Sequence, residues 1–315
     1  MKRSAWVWVA AVTAGVFGTG CAVEAKEADR FREAIPEAEA VSLAVPGPKG
    51  GATGTTTQGL HFSNLGGDGT ARYYRFTRDL TRSVDVGTAF ILGAVWAIVH
   101  TDPTTIEPKR AVWGPGQANA LEPAVWRFTV TEVGDATYDY VLEGQPKAGG
   151  AWSTVLRGHG FGKSKPEHKS GWFEIDNEAM RTLDPAEGKD RGTAKVTFDL
   201  TKLPATIAVE LRPIDGAGFT DVTVTHAEGG AGAVDITALA DIDDSKATKL
   251  EDVRVESRWT PAGSGRADIE LSKGDLPFVV TATECWSETF ARVYYEDTVD
   301  FEPSSGDASA CALPR

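Results

Sequence analysis

The sequence predicts a mainly β protein: one large curved antiparallel sheet, a half-barrel or barrel, packed around a single apolar helix at about residues 84–100. A two-sheet β-sandwich is the alternative. Three observations predict this. From Ala124 onward apolar residues alternate with polar ones at period two, the signature of a strand with one buried face. The alternating runs are joined by short turns rich in Gly and Pro. One uncharged stretch, Val86 to Val99, stands before them. Composition agrees, since 34 Gly and only two Met suit a turn-rich sheet better than a helix bundle.

The helix comes first in the chain. Ser83 is a plausible cap with Asp85 in the first turn, and Asp102-Pro103 ends the run. At about 14 residues the uncharged stretch is shorter than a membrane span, so a buried core helix is predicted in preference to a second membrane anchor. A helix that is apolar all round has to be covered on all sides.

The strands follow. Trp126, Phe128 and Val130 alternate with Arg127, Thr129 and Thr131; Gly134-Asp135 supplies a hairpin turn; Tyr138, Tyr140 and Leu142 continue the pattern. It recurs in Ala194–Leu200, Ile207–Leu211, Val222–Val224, Val234–Ile236, Val253–Val255, Ala267–Leu271 and Phe278–Ala282. Connections such as Lys202-Leu203-Pro204, Asp215–Gly218, Glu228-Gly229-Gly230 and Pro261–Gly265 are too short for parallel crossovers, so the sheet is an antiparallel meander. About ten such strands with one apolar face are expected to curl, close or split. The helix then lies against the concave face.

Thirty-two Lys plus Arg against 45 Asp plus Glu, a net charge of −13, exclude a nucleic-acid partner, because phosphate binding needs a concentrated positive field. A 41% hydrophobic share excludes a disordered chain.

The N-terminus carries an address. Lys2 and Arg3 precede the apolar stretch Ala5–Phe17, too short to span a bilayer and typical of an export signal. Gly18-Thr19-Gly20-Cys21 follows, and here the segment resembles the lipobox of bacterial lipoproteins; Gly18 stands where that family prefers an aliphatic residue. The resemblance implies cleavage before Cys21 and acylation of its sulfur and new amino group. It covers about 21 residues. Ala22 in place of an Asp implies an outer-membrane destination. The alternative is an ordinary secretory signal at residues 1–20, with Cys21 incidental. Three Cys is an odd number; with Cys21 lipidated, Cys285 and Cys311 remain as one disulfide pair, permitted outside the cytoplasm. Loss of Lys2 and Arg3 with the signal takes the net charge down by two, from −13 to −15.

Residues 21–59 have linker composition, charged and Ala-rich and then rich in Gly, Thr and Pro, with a short helix possible over Glu24–Ala34. As a flexible tether they would hold the body about 35 Å from the membrane. Residues 60–315 are read as a single β-rich domain. Its general plan looks like that of periplasmic lipid-carrier lipoproteins, a likeness of architecture without a shared motif.

The remaining motifs favour bland readings. Arg157–Ser164 is Gly-rich but has the wrong spacing for a phosphate-binding loop and is read as a turn after a strand. Asp241–Asp252 spaces carboxylates as a calcium loop might, yet Lys246 occupies the place where such a loop needs Gly, so a solvated acidic loop is expected. His61, His100, His159, His168 and His226 form no close pair, and no metal or cofactor is expected. There is no Gly-x-Ser-x-Gly elbow, so no catalytic residue is assigned; a cleft gathering His, Ser or carboxylates from separate strands would revive a hydrolase. The aromatic stretch Cys285–Tyr295 is read as sheet packing beside the disulfide. The expected function is therefore that of a non-enzymatic, lipid-anchored envelope protein, its partners the membrane and a hydrophobic or amphipathic ligand on the concave face. The alternative is a structural or protein-interaction module.

Overall fold

A computed structural model describes residues 21–47, 69–117, 122–185, 191–214, 218–241 and 249–315, the side chains of 21–26 and 166–167 excepted. The expected signal at 1–20 and the expected tether from residue 48 onward lie outside the described residues, as do Asp243 and Asp244 of the acidic loop.

The protein is mainly β. Its strands are β1 (Thr105–Glu107), β2 (Arg110–Gly116), β3 (Ala124–Gly134), β4 (Thr137–Pro146), β5 (Ser153–Phe161), β6 (Ser170–Asp176), β7 (Thr193–Asp199) and β8 (Ala205–Arg212). They continue as β9 (Phe219–His226), β10 (Gly232–Ala240), β11 (Glu251–Trp259), β12 (Gly265–Lys273), β13 (Val280–Trp286), β14 (Arg292–Asp297) and β15 (Ser305–Gly306). All are antiparallel and lie in one sheet in chain order, the meander that the short turns predict.

Two devices fix the register. On the outer face opposite charges meet directly across strands: Arg127 pairs Glu143 at 2.7 Å between β3 and β4, and Arg157 pairs Glu174 at 2.8 Å between β5 and β6. A one-residue slip would carry these charges into the core and Phe128, Val130 and Tyr140 into water. On the inner face large rings lie over glycines of the neighbouring strand: Trp126 over Gly144, Tyr140 over Gly158, Trp259 over Gly232 and Trp286 over Gly265. A Cβ at any of these glycines would overlap its ring. The Gly-rich stretch at 157–161 is thus the end of strand β5 rather than a turn, because each glycine makes room for something above it.

The sheet is open and uncurled, unlike the half-barrel, barrel or sandwich expected. Its edges, β1 with three residues and β15 with two, do not meet. Short edges give little template for pairing with another chain. α2 runs from Arg72 to Val99, 28 residues, and starts a dozen residues before the position expected. At 1.5 Å per residue it is a rod of about 42 Å. It crosses the strands: Arg72 meets β13, Thr77 Oγ1 shares a 2.7 Å hydrogen bond with Ser257 of β11, and Trp113 Nε1 of β2 donates to Thr101 just past its end.

The first half of α2 was hidden by its charges. Arg72, Arg75, Arg78 and Arg82 interrupt the apolar run, but Tyr73, Tyr74, Phe76, Thr77 and Thr81 recur at helical spacing and are buried. Its second half buries Ile91, Leu92, Val95 and Val99. The opposite face is not covered as expected: Val86, Phe90 and Trp96 are 51%, 54% and 57% exposed. By length and composition α2 could cross a membrane, with a mean hydropathy of 1.5 over its most apolar window.

The described part of the expected tether packs against the body from Ala28 to Leu43. α1 (Cys21–Arg32) is the helix that the composition allowed, and Ala28, Phe31, Ala34, Val41 and Leu43 are buried in the main core. Gly160 permits this, since a side chain there would overlap the Ala34 carbonyl. One contiguous apolar cluster runs from Ala28 to Tyr295.

Cys285 and Cys311 are bonded, Cα atoms 5.4 Å apart, tying the C-terminal tail to β13. Cys285, Trp286 and Tyr295 are buried, so the aromatic stretch packs the sheet as expected. Closing a loop of sequence separation 26 is worth about 3 kcal/mol. Cys311→Ser is accordingly expected to lower unfolding free energy by about 3 kcal/mol in urea titration; an unchanged midpoint would show the bridge to be dispensable.

Candidate functional site

A cleft of about 460 Å³ opens between α2, the segment after α1 and the ends of β7 to β9. Ala38, Ala40 and Ala44 form one wall, Ala89 of α2 a second, and Leu200 and Ile207 the floor. The remaining lining residues are polar: Glu39, Ser42, Asp85 and His226. The walls are low because alanine is small, which leaves space between elements that bulkier residues would close.

Asp85 organises the polar corner. Its Oδ1 accepts a hydrogen bond from the Leu43 amide at 2.7 Å and its Oδ2 one from Ser42 Oγ at 2.8 Å, so the carboxylate fastens the N-terminal segment to the middle of α2. Burial holds the Asp85 carboxyl above its usual range, partly offset by these two hydrogen bonds and by His226 across the cleft. Among the described residues no Lys or Arg forms an ion pair with Asp85 or Glu39. A half-buried carboxylate without a cation is an unfavourable arrangement in the free protein.

The sign of the pH effect follows. Between the ordinary carboxylate range and the raised value, folded Asp85 binds more protons than unfolded Asp85, so its contribution to stability falls as pH rises through that window. Asp85→Asn removes the charge and keeps an acceptor for the Leu43 amide. The variant is expected to match or exceed the parent in thermal stability at pH 7 and to lose that advantage in acid. A lower melting temperature at pH 7 would mean that the hydrogen bonds outweigh the desolvation.

The helix that carries Asp85 is clamped at both ends by charges from elsewhere. At its N-terminus Glu284 of β13, fully buried, accepts the Arg72 amide at 2.8 Å, the Tyr73 amide at 2.5 Å and Arg292 Nε at 2.7 Å. Glu302 bridges Arg72 and Arg292, each at 2.6 Å. At the C-terminus Arg32 of α1 donates to the Val99 and Thr101 carbonyls at 2.6 and 3.0 Å. A carboxylate at the positive end and a guanidinium at the negative end both suit the helix dipole. The position of α2, with its exposed apolar face, is therefore specified.

Ser42, Asp85 and His226 are the gathering of hydroxyl, carboxylate and imidazole that would revive a hydrolase. The bonding is different. A serine nucleophile needs its proton taken by His, which the carboxylate orients. Here Ser42 donates to the carboxylate itself, and a carboxylate is a weak base for an alcohol.

Of the residues expected from the sequence, Cys285 and Cys311 are brought together, away from the cleft. Cys21 opens α1, and its side chain lies outside the described residues. Asp252 of the acidic loop pairs with Lys273, and among the described residues no cluster of His, Cys, Asp and Glu could hold a metal ion. His159 pairs with Asp139 at 2.7 Å on the outer face. Ser42, Asp85 and His226 were not singled out as a site. Asp85 stands mid-helix rather than in a first turn, and an acid at the head of the uncharged stretch was the available signal.

No protein-family model, no curated protein and no solved structure matches the chain.

Proposed function

We propose that the protein is a non-enzymatic envelope lipoprotein, acylated at Cys21 and held at the outer membrane, that binds a hydrophobic or amphipathic ligand in the cleft between α2, the Ala38–Val41 turn and β7 to β9. The observation that carries the ligand reading is the cleft itself: about 460 Å³, walled by Ala and aliphatic side chains, with a few polar groups, of which Ser42 and Asp85 are hydrogen-bonded to each other. Small-molecule sites begin at about 300 Å³ and share this distribution of apolar wall and few polar groups. The anchor rests on the resemblance of Gly18–Cys21 to a lipobox. With α1 docked through Ala28 and Phe31, Cys21 would lie within about 18 Å of the body. The domain would rest near the membrane rather than on a long tether.

Native mass spectrometry of protein purified from a lipoprotein-processing bacterium tests both parts. Acyl mass on a chain beginning at Cys21 is expected, abolished by Cys21→Ser, together with a small molecule that Ala89→Trp excludes. Protein carrying neither would sink the reading.

The second reading, a protein-interaction module, is favoured by the exposed Val86, Phe90 and Trp96 of α2. It predicts a specific envelope protein lost from cross-linking when Phe90→Ser is introduced, with no ligand in the cleft.

A further inference from the structure

The chemistry of the polar corner narrows the ligand class, an inference that rests on the ligand-binding reading above. Asp85 and Glu39 bring two carboxyl groups into one cleft; among the described residues no Lys or Arg lines it, and His226 does. Ser42 and the Leu43 amide each supply one donor to Asp85, so each carboxylate oxygen keeps a further lone pair. An anionic head group would meet two like charges, with the His226 imidazole the basic group beside them. A neutral one would leave Asp85 charged and half-buried.

An apolar track leaves the same corner. Ala89 lies one turn beyond Asp85 on α2 and lines the cleft, and Phe90, Gly93 and Trp96 continue along the exposed side of the helix. Trp96 stacks on His100 with ring centroids 3.8 Å apart, which steadies the ring at the far end. From Asp85 to Trp96 the helix rises about 16 Å, the reach of a medium-length alkyl chain. Head-group charge and chain track therefore meet at one residue.

We infer that the cleft binds a cationic amphiphile, its ammonium group against Asp85 with Glu39 nearby and its alkyl chain along Ala89, Phe90, Gly93 and Trp96. The ammonium donates to the free lone pairs of the Asp85 carboxylate and supplies a permanent positive charge where, among the described residues, His226 is the basic group and no Lys or Arg pairs with Asp85. The exposed apolar face of α2 is then part of the binding surface.

The test is calorimetric titration of the folded protein with dodecylamine, dodecanol and dodecanoate below their aggregation concentrations, in buffer with physiological salt to suppress the pull of the acidic surface. Dodecylamine is expected to bind at least about tenfold more tightly than dodecanoate, the usual scale for a charge-assisted hydrogen bond. Asp85→Asn should remove that preference while dodecanol affinity stays, and Trp96→Ala should weaken dodecylamine but leave butylamine unchanged. Dodecanoate binding as tightly as the amine, or an amine preference that survives Asp85→Asn, overturns the cationic assignment and leaves the cleft as a site of another kind. Failure of all three compounds to bind the parent protein overturns the cleft reading along with it.

Discussion

Glu284→Ala is expected to lower unfolding free energy by about 3–5 kcal/mol, the usual result of removing one member of a buried, hydrogen-bonded charge network. The loss has several parts. The Arg72 and Tyr73 amides at the start of α2 lose their acceptor, and Arg292 loses its buried partner. Helix N-termini are ordinarily capped by a residue just before them, but Ala71 has no side chain to do so. Glu284 comes from more than two hundred residues away in the chain. Glu284→Gln keeps an acceptor for the amides and is expected to recover part of the loss. Urea unfolding followed by tryptophan fluorescence measures both. Equal, small losses in the two variants would show that Glu302 and water can cap the helix unaided.

Gly160→Val is expected to lift the N-terminal segment from the sheet. The new side chain would occupy the place of the Ala34 carbonyl, a backbone atom that cannot step aside as a flexible side chain can. Overpacking of this kind costs about 1–3 kcal/mol. Here the cost has an escape route: the segment from Ala28 to Leu43 can detach, exposing Phe31 and Leu43 and removing the wall formed by Ala38, Ala40 and Ala44. Limited proteolysis should then cut between α1 and Gly47 at protease concentrations that leave the parent intact. Binding of an alkyl ligand in the cleft should be lost with it. A parent-like digestion pattern would mean that the end of β5 moves instead and that the segment is held by more than this contact.

Much of the sheet was legible because strand periodicity is a local signal. Trp126 to Leu142 spell a hairpin with turn residues between, and β3 and β4 occur there. The same locality explains the misreading of Gly158 and Gly160. A glycine that makes room for a ring or for a crossing chain looks, in one dimension, like a glycine that makes a turn, and the difference lies in Tyr140 and Ala34, on other segments. The candidate site was harder still. Ser42, Asp85 and His226 are drawn from three distant segments, and no spacing rule connects them.

The sequence by itself determined the β class, the antiparallel order of strands and the pairing of Cys285 with Cys311 once Cys21 was set aside, since alternation, turn length and cysteine count are properties of the chain in order. Only the tertiary structure decided that the sheet stays open, that α2 begins at Arg72, and that residues 28–46 belong to the body. The last two depend on contacts between remote residues: Glu284 with the start of α2, and Arg32 with its end and Asp85 with Ser42 and Leu43 for the N-terminal segment. A buried charge is placed by the partner it finds, and that partner can stand anywhere in the chain.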